Sequence, residues 1–375
     1  MAGVVKLFPY HIVTVQDGAS YLENGSHTLE VALGVLRGRH REKRMPGGVR
    51  LNERNTEVLE KYDLEVQALR RGRGAWLCET DQGVKLLREY KGTVRRLEFE
   101  ETVLAYLEKQ EACRVDQYLR NREGEILTVG EDGGHYIVKN WYMDRECSVQ
   151  SEEEVIRAVR QIARLHRALR EIPIKEEWSL GSIQAEPVVS EMERHNRELR
   201  RARNFIRKKR NKAEFELCVT GNFQMFYEQA QAAREGLENL VEKKGAPPCF
   251  LCHGDLNQHH ILMCQGSMAV IEFNRMHVGV QAGDLYHFTR KVLEKHGWDL
   301  RLGTGILEAY DRIRPMDRVE KEYLYYLFLY PEKYWKQLNF YFNAGKAWIP
   351  GRNVEKLKTL ELQQEARMRF LQEIY

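Results

Sequence analysis

The stretch PPCFLCHGDLNQHHILMCQGSMAVIEFNRM, residues 247–276, carries the densest chemistry in the chain. An apolar run, CFLC, leads into His253-Gly254-Asp255, and Asn257 and His260 follow closely. Ile261-Leu262 and Ala269-Val270-Ile271 read as short strands, and the second ends in Glu272-Phe273-Asn274. Two strands that each deliver an acid beside a loop of His and Asn suit phosphoryl transfer. One carboxylate can position or deprotonate a substrate hydroxyl, and a second acid can hold Mg²⁺ against nucleotide phosphates.

Upstream of this stretch the pattern changes. NERNTEVLEKYDL, from Asn52, reads as a helix with an Asn start signal. VQALRRGRGAWLCETDQGVKLLREY (66–90) reads as three strands with turns at Arg73-Gly74 and Asp81-Gln82-Gly83. RRLEFEETVLAYLEKQ is helical, with Leu97, Val103, Leu104 and Leu107 near one face. EILTVGE (125–131) and HYIVKNWYM (135–143) are two further strands. A single helix within a run of strands predicts an α+β lobe on an antiparallel sheet over 52–142. From 143 to 375 the chain reads as mostly helical. It begins with SEEEVIRAVRQIARLHRALR, where Ser151 and Glu154 have capping-box spacing. Long amphipathic helices follow at 188–212 and 213–243. Residues 1–51 read as an N-terminal extension with an exposed basic loop, HREKRMPGGVR (40–50).

Composition excludes several classes. Of the 375 residues, 43% are hydrophobic, enough for a sizeable core, so the chain is not disordered as a whole. The net charge of +4 is too small to indicate nucleic acid by itself. No window approaches the continuous apolar run of a membrane span. The start, MAGVVKLFPYHIVTVQDG, has no basic-plus-apolar leader and reads as non-exported. Seven cysteines, an odd number, suit a reducing cytoplasm better than a disulfide framework.

The loop 253–260 resembles the His-x-Asp-x-x-x-x-Asn catalytic loop of the aminoglycoside phosphotransferase and choline kinase group, whose fold is two-lobed and protein-kinase-like. Other segments resemble the group in order. GVKLLREY (83–90) matches the strand that carries a nucleotide-binding Lys, with Arg88 in its place. FEETVLAYL (99–107) matches the helix whose Glu, here Glu100, pairs with that cation. YIVKNWYMDRE (136–146) matches the hinge beside adenine and offers Trp141 and Tyr142. RQIARLH (160–166) and GDLYHF (283–288) match two large-lobe segments. The resemblance implies ATP and Mg²⁺ if the protein is active. It also implies a small-molecule hydroxyl as acceptor, Asp255 and His253 as the catalytic pair, Asn257 on the nucleotide side, and Glu272 and His260 at the metal.

A narrower resemblance is to the CotS family of spore coat proteins. It is carried by ETDQGVKLLREYKGT, LCHGDLNQHHIL, GDLYHFTRKVLEKHGWD and LYPEKYWKQLNFYFNAGKAWIPG, and it covers about residues 52–360. It implies synthesis in the mother cell, deposition in the spore coat and other coat proteins as partners. The chain departs from the general template at three positions. Arg88 replaces Lys, and its planar fork is not an ammonium. His260 stands where an Mg²⁺-binding Asn is usual, and Glu272 where an Asp is usual. Mg²⁺ prefers oxygen in tight octahedral geometry, so both substitutions weaken the metal site. Two readings therefore stand, an active kinase and a pseudokinase that serves as a coat-assembly module.

Other motifs have blander readings. His259 and His260 with Cys252 or Cys264 do not make a favoured zinc set, and Cys249-x-x-Cys252-His253 is a chance match to haem attachment. Gly72 and Gly74 suit a hairpin turn as well as a phosphate loop. The aromatic run 323–342 has helical spacing and reads as core. The stretch 194–212 holds ten Lys and Arg against one acid and reads as a solvated face or a site for an anionic partner, with Arg200, Arg201, Lys208 and Lys209 exposed.

Overall fold

The structure, a computed structural model, describes residues 53–375 except 73, 111–112, 179–182, 265–266 and 345–350. The expectations for residues 1–51 and for Arg73 lie outside the described residues. The fold is two-lobed, α+β and protein-kinase-like, with a small antiparallel sheet and a large helical part.

Helix α1 (Glu53–Glu60) precedes three strands, β1 (Val66–Arg71), β2 (Trp76–Thr80) and β3 (Gly83–Glu89). After α2 (Val94–Lys109) come β4 (Arg114–Val115), β5 (Tyr118–Leu119), β6 (Thr128–Val129) and β7 (His135–Asn140). The sheet order is β1-β2-β3-β7-β5, with β6 also on β7, and every pair is antiparallel. Side chains alternate between its faces. Cys78, Leu87 and Val138 point to the outer face, which Val58, Leu59 and Tyr62 cover. Leu86 and Arg88 point the other way, beside their cross-strand partners Lys139 and Ile137.

In α2 the residues Leu97, Val103, Leu104 and Leu107 are all buried in the main core, as their spacing predicts. The strand expected over 125–131 shrinks to Thr128–Val129. Asn121 Oδ1 accepts the N–H groups of Glu123 and Glu125, and the Gly130–Gly134 turn follows, so its ends are held in turns.

A second sheet has the order β4-β11-β10-β8, formed with β8 (Arg145–Glu146), β10 (Ile261–Met263) and β11 (Ala269–Val270). Val115 of β4 pairs with Val270 in parallel. The segment after α2 is thereby fastened directly under the decisive stretch.

The helical part runs α3 (Glu152–Arg170), α4 (Val188–Lys208) and α5 (Glu214–Lys244). Then come β9 (Phe250–Cys252) and β12 (His277–Gly279), which flank β10 and β11, and α6 (Ala282–Lys295) to α7 (Leu300–Asp311). The last helices are α8 (Arg318–Leu329), α9 (Glu332–Asn343), α10 (Gly351–Leu362) and α11 (Gln364–Ile374). Ser151 caps α3 by accepting the Glu154 N–H. The reciprocal half of the capping box is absent, because Glu154 takes Arg145 at 2.8 and 2.9 Å and the Ser148 N–H instead.

The aromatic run is core. Tyr334 stacks on Phe226 with centroids 4.3 Å apart, and Tyr341 stacks on Phe215 at 5.0 Å. Each such burial contributes roughly 1.5–3 kcal/mol. The basic stretch is partly neutralised. Arg194 pairs with Glu186, Arg197 with Glu193, and Lys209 with the buried Glu216. Arg200, Arg201 and Lys208 are exposed, whereas Lys209 is only half-exposed, against expectation. Among the described residues no helix is long and apolar enough to cross a membrane.

Candidate active site

Strand β9 pairs with β12, and the chain leaves it at His253. Gly254 has φ +83°, and a Cβ there would lie 2.1 Å from the Arg275 carbonyl oxygen, so only glycine fits. The bend is held by Asp284 at the start of α6. Its carboxylate accepts the N–H of His253 at 2.7 Å and that of Gly254 at 2.9 Å. His166 of α3 lies 3.3 Å away on the same carboxylate and 2.7 Å from the Tyr310 hydroxyl. Burial acts to raise the Asp284 pKa, but the His166 hydrogen bond and nearby histidine charges hold it well below the carboxylate range.

His253 is fully buried. Its Nε2 donates to the Ile271 carbonyl at 3.0 Å and its Nδ1 accepts the Asp255 N–H at 3.2 Å. Both nitrogens are spent on the loop, and burial lowers its pKa. It positions the loop and faces no open space. Asp255 is the exposed member of the pair, with its side chain 35% accessible. Asn257 Nδ2 donates to the Asp255 carbonyl at 3.0 Å, and Asn257 Oδ1 accepts the His259 N–H. Asn257 thus braces the loop. His260 Nδ1 lies 2.8 Å from the Asp255 carbonyl oxygen and donates to it.

On the other side, Glu272 lies just beyond β11 in a left-handed conformation, φ 66° and ψ 51°. Its backbone N–H donates to Asp116 at 3.0 Å. Both of its carboxylate oxygens are held by Arg88, at 2.6 and 2.9 Å. Burial acts to raise the Glu272 pKa, and Arg88 more than offsets it, so the acid stays ionised below its usual range. The expected Arg88–Glu100 pair does not form. Glu100 is taken by Arg96 at 2.6 Å, one helical turn before it, and by the Tyr118 hydroxyl. Arg96 in turn donates to the Asn274 carbonyl at 3.1 Å, which ties α2 to the acid's own loop.

Trp141 and Tyr142 directly follow β7. Trp141 N–H donates to the Val84 carbonyl, and both rings rest on Leu262, Cys264, Ala269 and Ile271. The Tyr142 hydroxyl donates to the Val115 carbonyl at 3.0 Å.

The residues do not fit a Mg²⁺ ion as folded. Glu272 has both oxygens on Arg88, and His260, with Nδ1 on a loop carbonyl, could offer only a ring nitrogen, a donor that Mg²⁺ disfavours. Among the described residues no group of three or more His, Cys, Asp or Glu could hold a metal. His259 pairs with Glu146 at 2.5 Å.

Sequence reading missed two residues, Asp116 and Lys139. They form a buried pair at 2.8 Å beneath Glu272, with Lys139 Nζ also 4.4 Å from the Tyr118 ring centroid. Asp116 Oδ1 is buried without a hydrogen-bond partner. Asp116 lies outside the segments noted for resemblance, and Lys139 lies within the hinge-like segment 136–146 without being singled out. Asp284 and His166 lay in segments noted for resemblance, but the hydrogen bonds of Asp284 to the loop, and of His166 to Asp284, have no local signal.

Residues 65–319 match the family model described as the APH phosphotransferase enzyme family. Among solved structures the chain is similar to an aminoglycoside phosphotransferase from Alicyclobacillus acidocaldarius. That likeness has a TM-score of 0.74 at 18% identity and covers 90% of this chain and 98% of that one. It is also similar to a spectinomycin phosphotransferase in complex with ADP and spectinomycin, with TM-score 0.56, 12% identity, and 83% and 92% coverage. A third is a microcompartment-associated aminopropanol kinase, with TM-score 0.55, 15% identity, and 84% and 96% coverage. No match was found among curated proteins. The family match spans well over half of the chain, and the chain belongs to the APH phosphotransferase enzyme family.

Proposed function

We propose that the protein transfers the terminal phosphoryl group of ATP to a hydroxyl of a small molecule. The observation that carries this reading is Asp255, a half-buried but accessible carboxylate on a loop whose backbone is pinned by Asp284. In the step, the acceptor oxygen forms a bond to phosphorus and the bond to the ADP oxygen breaks. Asp255 takes the hydroxyl proton. Trp141 and Tyr142 flank the base, Arg88 reaches the phosphates only when its pair with Glu272 opens, and Glu100 acts at a distance by holding Arg96. The spectinomycin phosphotransferase, which holds ADP and its acceptor, supports a nucleotide between the lobes. The test is ATP turnover with a panel of alcohols. Asp255→Asn is expected to lose about 10²–10⁴-fold in rate with its fold intact. Turnover unchanged in that variant would remove Asp255 from the chemistry.

The likeness of several segments to the CotS family supports a finer proposal, synthesis in the mother cell and deposition in the spore coat beside other coat proteins. A second reading, a pseudokinase that assembles the coat, is favoured by one observation. The Arg88–Glu272 pair occupies both groups that would otherwise meet phosphate and metal. Calorimetry with ATP separates the two, since a pure assembly module would show no nucleotide binding.

A further inference from the structure

Helix α6 holds the loop of Asp255 through Asp284, packs against α9 through Glu332, and carries an excess of cations beyond that point. Asp284, His287 and Lys291 stand at i, i+3 and i+7 on α6, so they form one stripe. The Asp284 end of that stripe is fastened to the backbone of the 253–255 loop. Two turns along, Lys291 is half-buried and lies within electrostatic reach of Asp255, which is the foremost attractive charge acting on it. Among the described residues no carboxylate oxygen lies within ion-pair distance of its ammonium.

The neighbouring carboxylates are already taken. Glu294 pairs with Arg290 at 2.5 Å and with Lys333 at 2.9 Å. Glu332 pairs with Arg290 at 3.3 Å and with Lys336, and it accepts the Tyr286 hydroxyl. Three cations share two acids before Lys291 is added, and Arg290 and Lys336 repel it. Arg275 Nε stands 3.9 Å from Asp255 Oδ2. Two cations from separate elements thus act on Asp255. A half-buried ammonium without an ion pair is costly unless a ligand compensates it. A polycationic acceptor such as an aminoglycoside would be repelled by these cations.

We infer that the acceptor carries an anionic group, a phosphate or a carboxylate, and that Lys291 binds it so that a hydroxyl of the same molecule reaches Asp255. This rests on the phosphotransferase reading above for the transfer step, but not for the binding step. Lys291 is a specificity-determining residue in this account, and Arg275 supports it electrostatically.

The experiment compares four three-carbon alcohols as acceptors with ATP: glycerol 3-phosphate, glycerate, glycerol and 1-amino-2-propanol. The first two are expected to be preferred in kcat/KM by at least about tenfold, the scale of one charge-assisted contact. Which of them leads distinguishes phosphate from carboxylate. Lys291→Gln is expected to raise KM for the preferred anion at least about tenfold with a smaller change in kcat, and Lys291→Arg to recover most of it. Preference for the amine, or a Lys291→Gln loss equal for charged and uncharged alcohols, overturns the inference and leaves the enzyme reading standing. If no alcohol is phosphorylated, the enzyme reading fails, and the inference is read from binding alone. Calorimetry with glycerol 3-phosphate and with glycerate, without nucleotide, should then show binding of one that Lys291→Gln abolishes. Binding of neither, or binding that survives the substitution, overturns it.

Discussion

Arg88 and Glu272 form a two-point ion pair, Nη1 to Oε2 at 2.9 Å and Nη2 to Oε1 at 2.6 Å, that joins the small sheet to the end of β11. Both side chains are largely buried, so the pair resembles an interior one more than a surface one. Removing one partner strands the other's charge, whereas replacing both with apolar groups does not. Arg88→Met is expected to cost about 2–4 kcal/mol in urea denaturation, and Arg88→Met with Glu272→Leu distinctly less. The pair also withholds Arg88 from phosphate. In EDTA, Glu272→Gln is expected to bind ATP more tightly than the native chain by calorimetry, because a like charge is removed and Arg88 is released. Weaker binding would show that Glu272 helps the nucleotide and does not obstruct it.

Gly254 is the point at which the fold has no alternative residue. Gly254→Ala combines a left-handed φ with a Cβ driven into the Arg275 carbonyl. A loss of at least about 2 kcal/mol in stability is expected, together with misplacement of Asp255 and loss of turnover. A variant with native melting and native turnover would mean that the loop can relax around the methyl group.

Adjacent lysines at the end of α4 should behave differently. Lys208 is exposed and is expected to tolerate Glu within about 0.5 kcal/mol, as are Arg200 and Arg201. Lys209 Nζ lies 2.5 Å from Glu216, a buried acid that also accepts the Tyr341 hydroxyl and the Ala213 N–H. Lys209→Ala is expected to cost about 1–3 kcal/mol because that carboxylate loses its counter-charge. Equal melting curves for Lys208→Ala and Lys209→Ala would show the Lys209 pair to be of no consequence.

His195 sets a pH dependence. It is stacked on Trp335 with ring centroids 3.5 Å apart, and burial, aided by the Arg194 charge, pushes its pKa down to about 3. An unfolded histidine takes up its proton near pH 6.5. With the folded value lower, the contribution to stability is full above about pH 6.5 and is lost progressively as pH falls toward 3. At pH 5 the loss from this one group is about 2 kcal/mol. His253 and His287, also lowered by burial, act with the same sign. His195→Phe, which keeps a flat ring on Trp335, should flatten the decline between pH 7 and pH 5 in urea melts. An unaltered decline would assign it to other groups.

Much of the architecture is legible in the chain itself. The turns at Asp81-Gln82-Gly83 and the alternation of β2 and β3 specify the hairpin, because turn chemistry and strand period act over a few residues. The helical spacing of Leu97, Val103, Leu104 and Leu107 specifies which face of α2 is buried. His253, Gly254 and Asp255 announce the loop, and Gly254 is there because the backbone must turn where no Cβ fits.

The partners of charges were decided only in three dimensions. Arg96 stands four residues before Glu100 and reaches it along one helix, so Arg88 is left to meet Glu272 across the lobes. Asp116 and Lys139 come from separate segments with no local sign of their pairing, yet they meet under Glu272, and Asp284 reaches back to the loop it holds. Lys291 acquires its meaning from Asp255 on another element and from acids already claimed by Arg290, Lys333 and Lys336. The physical reason is one of range. Periodicity and turn preference are properties of neighbours in sequence, whereas a charge in a low-dielectric interior answers to whichever opposite charge lies within a few ångströms, wherever the chain has brought it from.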